Sequence, residues 1–108
     1  MTLASQEARA EVLAIARQVA GIVRRMTGDP KYRVVLFGSW ATERASERSD
    51  IDIGIAGPRP VDPAAMAEIR EACEALPTLH TVDLVDLTAA TASLREVALS
   101  QGMPVETR

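Results

Sequence analysis

The segment Val34–Ile55, VVLFGSWATERASERSDIDIGI, decides how the chain folds. Its short apolar run, rich in β-branched residues, ends abruptly at Gly38-Ser39, which is typical of a buried strand that stops at a glycine. Ten residues later a strict alternation of acidic and apolar residues begins at Asp50, and this alternation predicts a second strand. The segment therefore predicts two strands joined by a loop or a short helical turn.

The two acids of the second strand lie on one face of it. Residues two apart on a strand project to the same side, so Asp50 and Asp52 point one way while three isoleucines point the other way, toward a core. The next position on the acidic side is Gly54, which is expected to leave room above the sheet. Two carboxylates this close repel each other and stay ionised only when positive charge lies between them. Magnesium, which takes carboxylate oxygens and keeps positions for water and phosphate, meets that need.

A third carboxylate can come from the segment HTVDLVDL, residues 80–87, which predicts another strand. Asp83 and Asp86 are three residues apart and therefore face opposite sides of that strand. Only one of them can join the first two acids, and periodicity leaves open which one. Asp86 has an alternative role, because its position before the last predicted helix suits it to close the turn there.

The glycine and serine that end the first strand predict the other half of a site. Gly38 lets a ligand approach the backbone, and the Ser39 hydroxyl can hold a phosphate together with the free N–H groups of a following helical turn. Beside a magnesium site, these groups favour metal-assisted transfer of a nucleotidyl group. In such a reaction the metal activates the attacking oxygen and stabilises the leaving pyrophosphate.

Helix signals surround these strands, and the order of elements becomes α-β-α-β-α-β-α, which predicts an α/β sandwich of two or three layers. A chain of 108 residues is expected to form a single domain, residues 1–108. The first helix is expected to begin at Ser5 and to end at Gly28. The second is expected to begin at Asp62-Pro63 and to end at about Leu76. The last is expected to run from about Thr91 to Gln101, with Ser93 and Glu96 as a capping box and Gly102 as its stop.

Composition excludes several classes of protein. The formal net charge of −3 and the acidic pI do not favour nucleic acid as a direct partner. The single Cys73 cannot form an internal disulfide or a zinc site, and a buried, inert thiol is expected. The N-terminus lacks a basic stretch typical of a signal peptide, and no apolar run approaches the roughly 20 residues that span a bilayer. We expect a cytoplasmic protein that does not bind membranes.

The stretch GSWATERASERSDID, residues 38–52, resembles the Gly-Ser, ten residues, Asp-x-Asp signature of the DNA polymerase β-like nucleotidyltransferase superfamily. The chain is most similar to the small MNT, or minimal nucleotidyltransferase, proteins, and the likeness extends from the leading helix to the final one. It implies the nucleotidyltransferase fold, with a small mixed sheet of about three strands and helices packed on one face. In that family the third acid is the first aspartate of the VDLVDL-type strand, which corresponds to Asp83.

The resemblance also implies an activity and a partner. Asp50, Asp52 and Asp83 are expected to hold two Mg²⁺ ions, and Gly38 and Ser39 to bind the triphosphate of ATP. Family members of this length typically work beside an all-helical HEPN protein, in many cases a toxic ribonuclease. They silence it by transferring AMP from ATP to a hydroxyl, with that of tyrosine expected here. The implied role is therefore that of the antitoxin in a toxin–antitoxin pair.

Several nearby residues have more than one interpretation. Arg44 and Arg48 are candidate ligands of the triphosphate oxygens, although solvated loop charges are the default. Trp40 can stack on a base or pack beside the site, and His80 suits a surface or edge position better than a catalytic base. Many relatives carry Arg or Lys in place of Trp40 and Gly in place of Glu43, so the phosphate and acceptor contacts are expected to differ here.

Two other functions remain as alternatives. One is a non-catalytic subunit that binds and masks a HEPN-type partner, although a pure binding protein has no reason to keep a repelling pair of acids. The other is nucleotidyl transfer to a small molecule such as an aminoglycoside, which needs an acidic acceptor pocket that is usually built on an added domain.

Overall fold

Three α-helices and four β-strands form the part of the chain that the computed structural model describes, residues 3–106. A single 3-10 turn, Gly38–Trp40, follows the first strand. The α/β class is confirmed, and the sheet has one strand more than expected. In chain order the elements are α1 (Gln6–Thr27), β1 (Arg33–Phe37), β2 (Ile51–Ala56), α2 (Pro63–Glu74), β3 (Val82–Asp86), α3 (Ala92–Gln101) and β4 (Met103–Val105).

Side-chain caps fix where α1 and α2 begin. The Ser5 hydroxyl accepts a hydrogen bond of 3.1 Å from the Ala8 N–H, and the Asp62 carboxylate accepts one of 3.3 Å from the Ala65 N–H. Each bond satisfies an N–H group that has no partner within its helix. Both caps were predicted from the sequence. Within residues 3–106, the helices are all too short or too polar to cross a membrane.

The helix α3 begins where it was predicted, but its capping residue differs. Thr91, not Ser93, is the cap, because its hydroxyl accepts a hydrogen bond of 3.3 Å from the Leu94 N–H. Ser93 already lies in the first turn of the helix, so the expected capping box with Glu96 is wrong. Gly102 does end α3 as predicted, with extended backbone, and a Cβ at this glycine would overlap a backbone carbonyl of the helix.

The sheet is mixed, with strand order β3-β2-β1-β4. β1 is antiparallel to both β2 and β4, whereas β2 and β3 are parallel. A parallel pair needs a crossover connection, and α2 supplies it. Because β1 runs against β2 and β3, the end of β1 meets the beginnings of the other two strands at one edge of the sheet. Gly38, Asp52 and Asp83 all lie near that edge.

The main core lies between one face of the sheet and helices α1 and α2. The alternating isoleucines of β2, namely Ile51, Ile53 and Ile55, are fully buried there, as their spacing predicted. Burial of such side chains is the dominant stabilising term in a domain with few aromatic residues. This packing fixes the opposite side of β2 as the side that carries its acids.

The second face of the sheet is partly covered by α3. Val35, Leu87 and Ala98 form a separate buried cluster on this side, so the helices lie on both faces of the sheet and not on one. Gly54 also differs from expectation, because the Leu87 side chain fills the room above it. A Cβ on Gly54 would lie 2.8 Å from Leu87 Cγ, so glycine is required here for packing and leaves no space for a ligand.

The fourth strand, β4, is the element that sequence analysis missed. Met103, Pro104 and Val105 pair with the central part of β1. Three residues are too few to show the alternation that predicts a strand, and a central proline argues against one. Proline is tolerated because β4 lies at the edge of the sheet.

Candidate active site

Strand register brings the acids together. Asp52 of β2 is the direct partner of Asp83 on β3, and of Phe37 on β1. Directly paired residues project to the same face, so Asp83 lies on the side of Asp52. Asp50 immediately precedes β2 at the same edge. The three predicted acids therefore lie at one end of the sheet, on the face opposite the main core.

The carboxylates of this group affect one another electrostatically. Asp50 and Asp83 are exposed, whereas Asp52 is half-buried. The pKa of Asp52 is raised above its usual value, chiefly by burial and further by the negative charges of Asp83 and Asp50. Both causes disfavour the ionised form. Asp52 is thus the member of the group that gains most from a cation placed beside it.

Gly38 lies directly against Asp52. Its backbone is in the left-handed region, with φ of 72°, where residues with a Cβ are strained. A Cβ on Gly38 would also overlap Oδ2 of Asp52 and lie 3.1 Å from its Cγ. Both conformation and contact require glycine at this position. The half-buried Ser39 follows in the 3-10 turn, so the predicted phosphate-binding pair lies beside the acids.

Asp86 has a different role, which settles the choice that periodicity left open. Its Oδ2 accepts a hydrogen bond of 2.8 Å from the Val61 N–H, and its Oδ1 accepts one of 3.1 Å from the Thr88 N–H. Asp86 therefore closes the turn after β3 and ties it to the segment before α2. Asp83 is the acid of β3 that lies on the side of Asp52.

The two arginines are less closely associated with the acids. Arg44 and Arg48 are both exposed, and Arg48 lines a groove between α1 and residues 76–80. Burial and the negative charges of Asp83 and Asp50 raise the pKa of Asp52. Their contact with a triphosphate stays a prediction.

Glu43 is one of the two departures from the family pattern, and its backbone conformation is unusual. It has a φ of 61° and is the one non-glycine residue with positive φ in the part of the chain described. Left-handed backbone favours glycine, and glycine is what many relatives carry at this position. Glu43 therefore places a Cβ where the backbone conformation favours glycine, which strains the loop locally.

Trp40 and His80 hold a carbonyl group next to the first acid, and sequence analysis did not find this role. The Trp40 indole N–H donates to the Ser49 carbonyl at 3.1 Å, and Nδ1 of His80 lies 3.0 Å from the same oxygen. Trp40 is only 1 % exposed, so it packs beside the site and cannot stack on a base. His80 is half-buried. No spacing in the sequence links these two rings.

The chemistry of the site fits a hard divalent cation. Three carboxylates offer the oxygen donors that Mg²⁺ prefers, and burial together with the negative charges of Asp83 and Asp50 raises the pKa of Asp52. Among residues 3–106, no group of three His, Cys, Asp or Glu side chains is arranged so that it could hold a metal ion as it stands. Asp50 and Asp83 are exposed, so their side chains are free to turn toward an ion at Asp52.

The site combines a mixed sheet, a Gly-Ser turn against one carboxylate, and two more carboxylates near that turn. This combination is that of a nucleotidyltransferase domain. The chain belongs to the family described as Polymerase beta, Nucleotidyltransferase, which matches residues 30–108. That match covers the 3-10 turn, all four strands and the three acids. A comparison with curated proteins finds no match.

Several solved structures with similar folds are complexes of a toxin with an antitoxin. A chain in a toxin–antitoxin structure with AMP-PNP is 29 % identical with a TM-score of 0.63, over 85 % of this chain and 73 % of that chain. A chain in the complex of tri-AMPylated Shewanella oneidensis HEPN toxin with MNT antitoxin is 26 % identical with a TM-score of 0.54, over 95 % and 72 %. A chain in a MntA–HepT toxin–antitoxin structure is 25 % identical with a TM-score of 0.53, over 96 % and 74 %.

Proposed function

We propose that this protein transfers AMP from ATP to a hydroxyl group of a HEPN toxin, with a tyrosine side chain as acceptor, and thereby acts as the antitoxin of a toxin–antitoxin pair. The single observation that carries the proposal is the direct pairing of Asp52 with Asp83, with Gly38 against Asp52. The similarity to structures with AMP-PNP and with a tri-AMPylated toxin supports the nucleotide and the acceptor class. The protein works as a single domain in the cytoplasm.

Asp50, Asp52 and Asp83 hold two Mg²⁺ ions in this proposal. Bound Mg²⁺ supplies the positive charge that stabilises the α-phosphoryl group during in-line attack and the pyrophosphate that leaves. The half-buried Asp52 anchors the donor set, and the exposed Asp50 and Asp83 complete it. The uncompensated repulsion around Asp52 supports this assignment, because ionised carboxylates brought together without a cation cost free energy.

The chain's own residues bind the nucleotide and move one proton. Gly38 and Ser39 hold the triphosphate tail, and Arg44 and Arg48 neutralise part of its charge. The acceptor oxygen forms a bond to the α-phosphorus while the bond from that phosphorus to pyrophosphate breaks. A carboxylate oxygen of Asp83 takes the proton of the acceptor hydroxyl. Asp83 suits this step because it is exposed at the edge where an acceptor can approach.

The exposure of the acids favours a protein as the acceptor. Asp50 and Asp83 lie open at the surface, and the space above Gly54 on the same face is filled by Leu87. The side chains of Asp50 and Asp83 are therefore not enclosed, as the reacting groups of a small-molecule site usually are. A hydroxyl carried on another protein can reach the exposed edge and bring the remaining walls of the site with it.

The test is an intact-mass measurement on the co-expressed partner. The protein, its HEPN-type partner, ATP and Mg²⁺ are incubated with the wild type, with Asp52→Asn and with Glu68→Gln, which removes an exposed acid on α2. We expect the partner to gain one or more AMP masses with the wild type and Glu68→Gln, and none with Asp52→Asn. An unmodified partner in a stable complex, with each of the four NTPs, would overturn the proposal in favour of a non-catalytic masking subunit.

A further inference from the structure

We propose that His80 and Trp40 are positioning residues, which hold Asp50 in place for the metal and the nucleotide through the backbone carbonyl of Ser49. The inference rests on the proposed function and deepens it. It concerns two residues whose ring N–H groups are directed at the same oxygen, one residue before the first acid. Neither residue touches the reacting atoms in this proposal.

The geometry around the Ser49 carbonyl carries the inference. Nε1 of Trp40 lies 3.1 Å from this oxygen, and Nδ1 of His80 lies 3.0 Å from it. A carbonyl only accepts hydrogen bonds, so His80 carries its proton on Nδ1. The two rings meet edge to face with centroids 5.6 Å apart, which fixes each relative to the other. Both lone pairs of the Ser49 oxygen are therefore occupied by ring donors.

The three segments that form the site meet at this carbonyl. Trp40 follows Ser39 in the 3-10 turn, and its own carbonyl accepts a hydrogen bond of 2.9 Å from the Arg9 guanidinium. His80 lies on the segment that leads into β3 and thus to Asp83. Ser49 belongs to the loop that leads into β2. A displacement of either ring would therefore shift the loop that leads to Asp50 relative to the 3-10 turn that contains Ser39.

The backbone on both sides of Asp50 is fixed. The Ser49 N–H donates to the Ser46 carbonyl at 3.1 Å, and the Ser49 hydroxyl accepts from the Ser46 N–H at 2.9 Å. On the other side, the Ile51 N–H donates to the Thr81 carbonyl at 2.9 Å. Asp50 itself is exposed. The backbone position of Asp50 is thus set by its neighbours, and a fixed backbone limits where its exposed side chain can meet an ion.

A matched pair of variants at His80 separates the hydrogen bond from the shape of the side chain. His80→Asn keeps an N–H donor near the position of Nδ1. His80→Leu introduces a side chain of nearly the same shape as asparagine that has no donor. The measurement is calorimetric binding of Mg²⁺ with α,β-methylene-ATP, an analogue that cannot transfer AMP. We expect His80→Leu to weaken binding about threefold to tenfold, the equivalent of one hydrogen bond, and His80→Asn to stay within about twofold of the wild type.

A second cycle distinguishes positioning of Asp50 from general loss of stability. In the Asp50→Asn background, His80→Leu should cause little further loss of affinity, because the acid through which His80 acts is gone. Val23→Ala truncates a buried residue of α1 that is distant in sequence from Asp50 and His80. This variant should lower the melting temperature without changing the affinity. His80→Phe, which keeps a ring against Trp40 but has no donor, replaces His80→Leu if that variant does not fold.

These measurements distinguish failure of the positioning role from failure of the proposed function. If the wild type does not bind Mg²⁺ with the analogue, the proposed function fails and this inference with it. If the wild type binds and His80→Leu binds equally well, the positioning role alone is overturned. An undiminished effect of His80→Leu in the Asp50→Asn background also overturns it, because the residue would then act by another route.

Discussion

The carboxylate of Asp52 lies where a Cβ of Gly38 would be: such an atom would overlap Oδ2 and lie 3.1 Å from Cγ of Asp52. The end of β1 and the beginning of β2 are therefore packed together at the acid that is most buried. Because the backbone of Gly38 also has a positive φ of 72°, any other residue at this position is strained as well as obstructed.

Gly38→Ala should consequently impair both stability and binding. We expect a loss of about 1–2 kcal/mol in the free energy of unfolding from the left-handed backbone, and a loss of more than tenfold in affinity for Mg²⁺ with nucleotide as Asp52 is displaced. Gly28→Ala is the matched control, since Gly28 has a φ of 65° and nothing within 4 Å of its Cβ position. Denaturant unfolding and calorimetry should find a similar loss of stability in this control and unchanged affinity. Unchanged affinity in Gly38→Ala would contradict the prediction.

Asp52→Asn should stabilise the ion-free protein at neutral pH. Folding raises the pKa of this acid above its usual value of 3.8, so the native state favours the protonated form. This preference contributes to the free energy of unfolding. The contribution is fully present when the pH is below the usual pKa, and it is lost as the pH rises through the raised pKa. We expect a melting temperature at pH 7 a few degrees at most above that of the wild type, with a smaller difference at pH 4.5. Addition of Mg²⁺ should raise the melting temperature of the wild type alone.

The acids of β3 should separate into one that serves activity and one that serves stability. Asp83→Asn is expected to reduce AMP transfer by more than about 100-fold with little loss of stability, because a ligand of the metals is removed. Asp86→Asn is expected to cost about 1–3 kcal/mol of stability, since its carboxylate accepts from two backbone N–H groups. Rates of transfer and thermal unfolding of both variants check this. Equal loss of activity in the two variants, both folded, would refute the assignment.

Glu43→Gly should make the protein more stable. The residue adopts a φ of 61°, where a Cβ costs about 1–2 kcal/mol, and the greater freedom of glycine in the unfolded chain offsets part of the gain. A rise of a few degrees in melting temperature is expected. Glu43→Ala removes the same charge but keeps the Cβ, so it should show no such rise. An equal rise in both variants would mean that charge, and not backbone strain, is responsible.

Cys73 should be inert in the folded protein. Burial raises the pKa of its thiol to about 11, and only the thiolate reacts rapidly with alkylating agents. Modification by iodoacetamide at pH 8 should be more than about 100-fold slower in the native protein than in the unfolded chain. Mass spectrometry of timed samples measures both rates. Rapid native modification would show that the helix around Cys73 opens readily.

Patterns within single segments predicted much of this structure. Alternation in β2 separated the side of Asp50 and Asp52 from the buried isoleucines, and capping residues located the starts of α1 and α2. β4 was beyond such prediction, because three residues around a proline show no periodicity. The face taken by α3 was likewise not predictable, since it depends on packing between Ala98 and Val35, which are distant in sequence.

Relationships between segments determined the rest of the site. Periodicity alone left open whether Asp83 or Asp86 joins the first two acids, although the position of Asp86 already suggested that it closes a turn. Strand register and the bonds of Asp86 separate the two. The bond between His80 and Ser49 joins residues that are 31 positions apart. Such a contact follows only from the folded arrangement of the 3-10 turn, the loop before β2 and the approach to β3.

The short strand β4 also affects how copies of this protein meet one another. The outer edge of a sheet can recruit a strand from a neighbouring molecule through its free N–H and C=O groups. Here that edge is three residues long, and its central residue, Pro104, has no N–H to donate. Growth of the sheet from molecule to molecule is therefore disfavoured on the β4 side, which leaves the β3 edge as the side where a strand from another chain can pair.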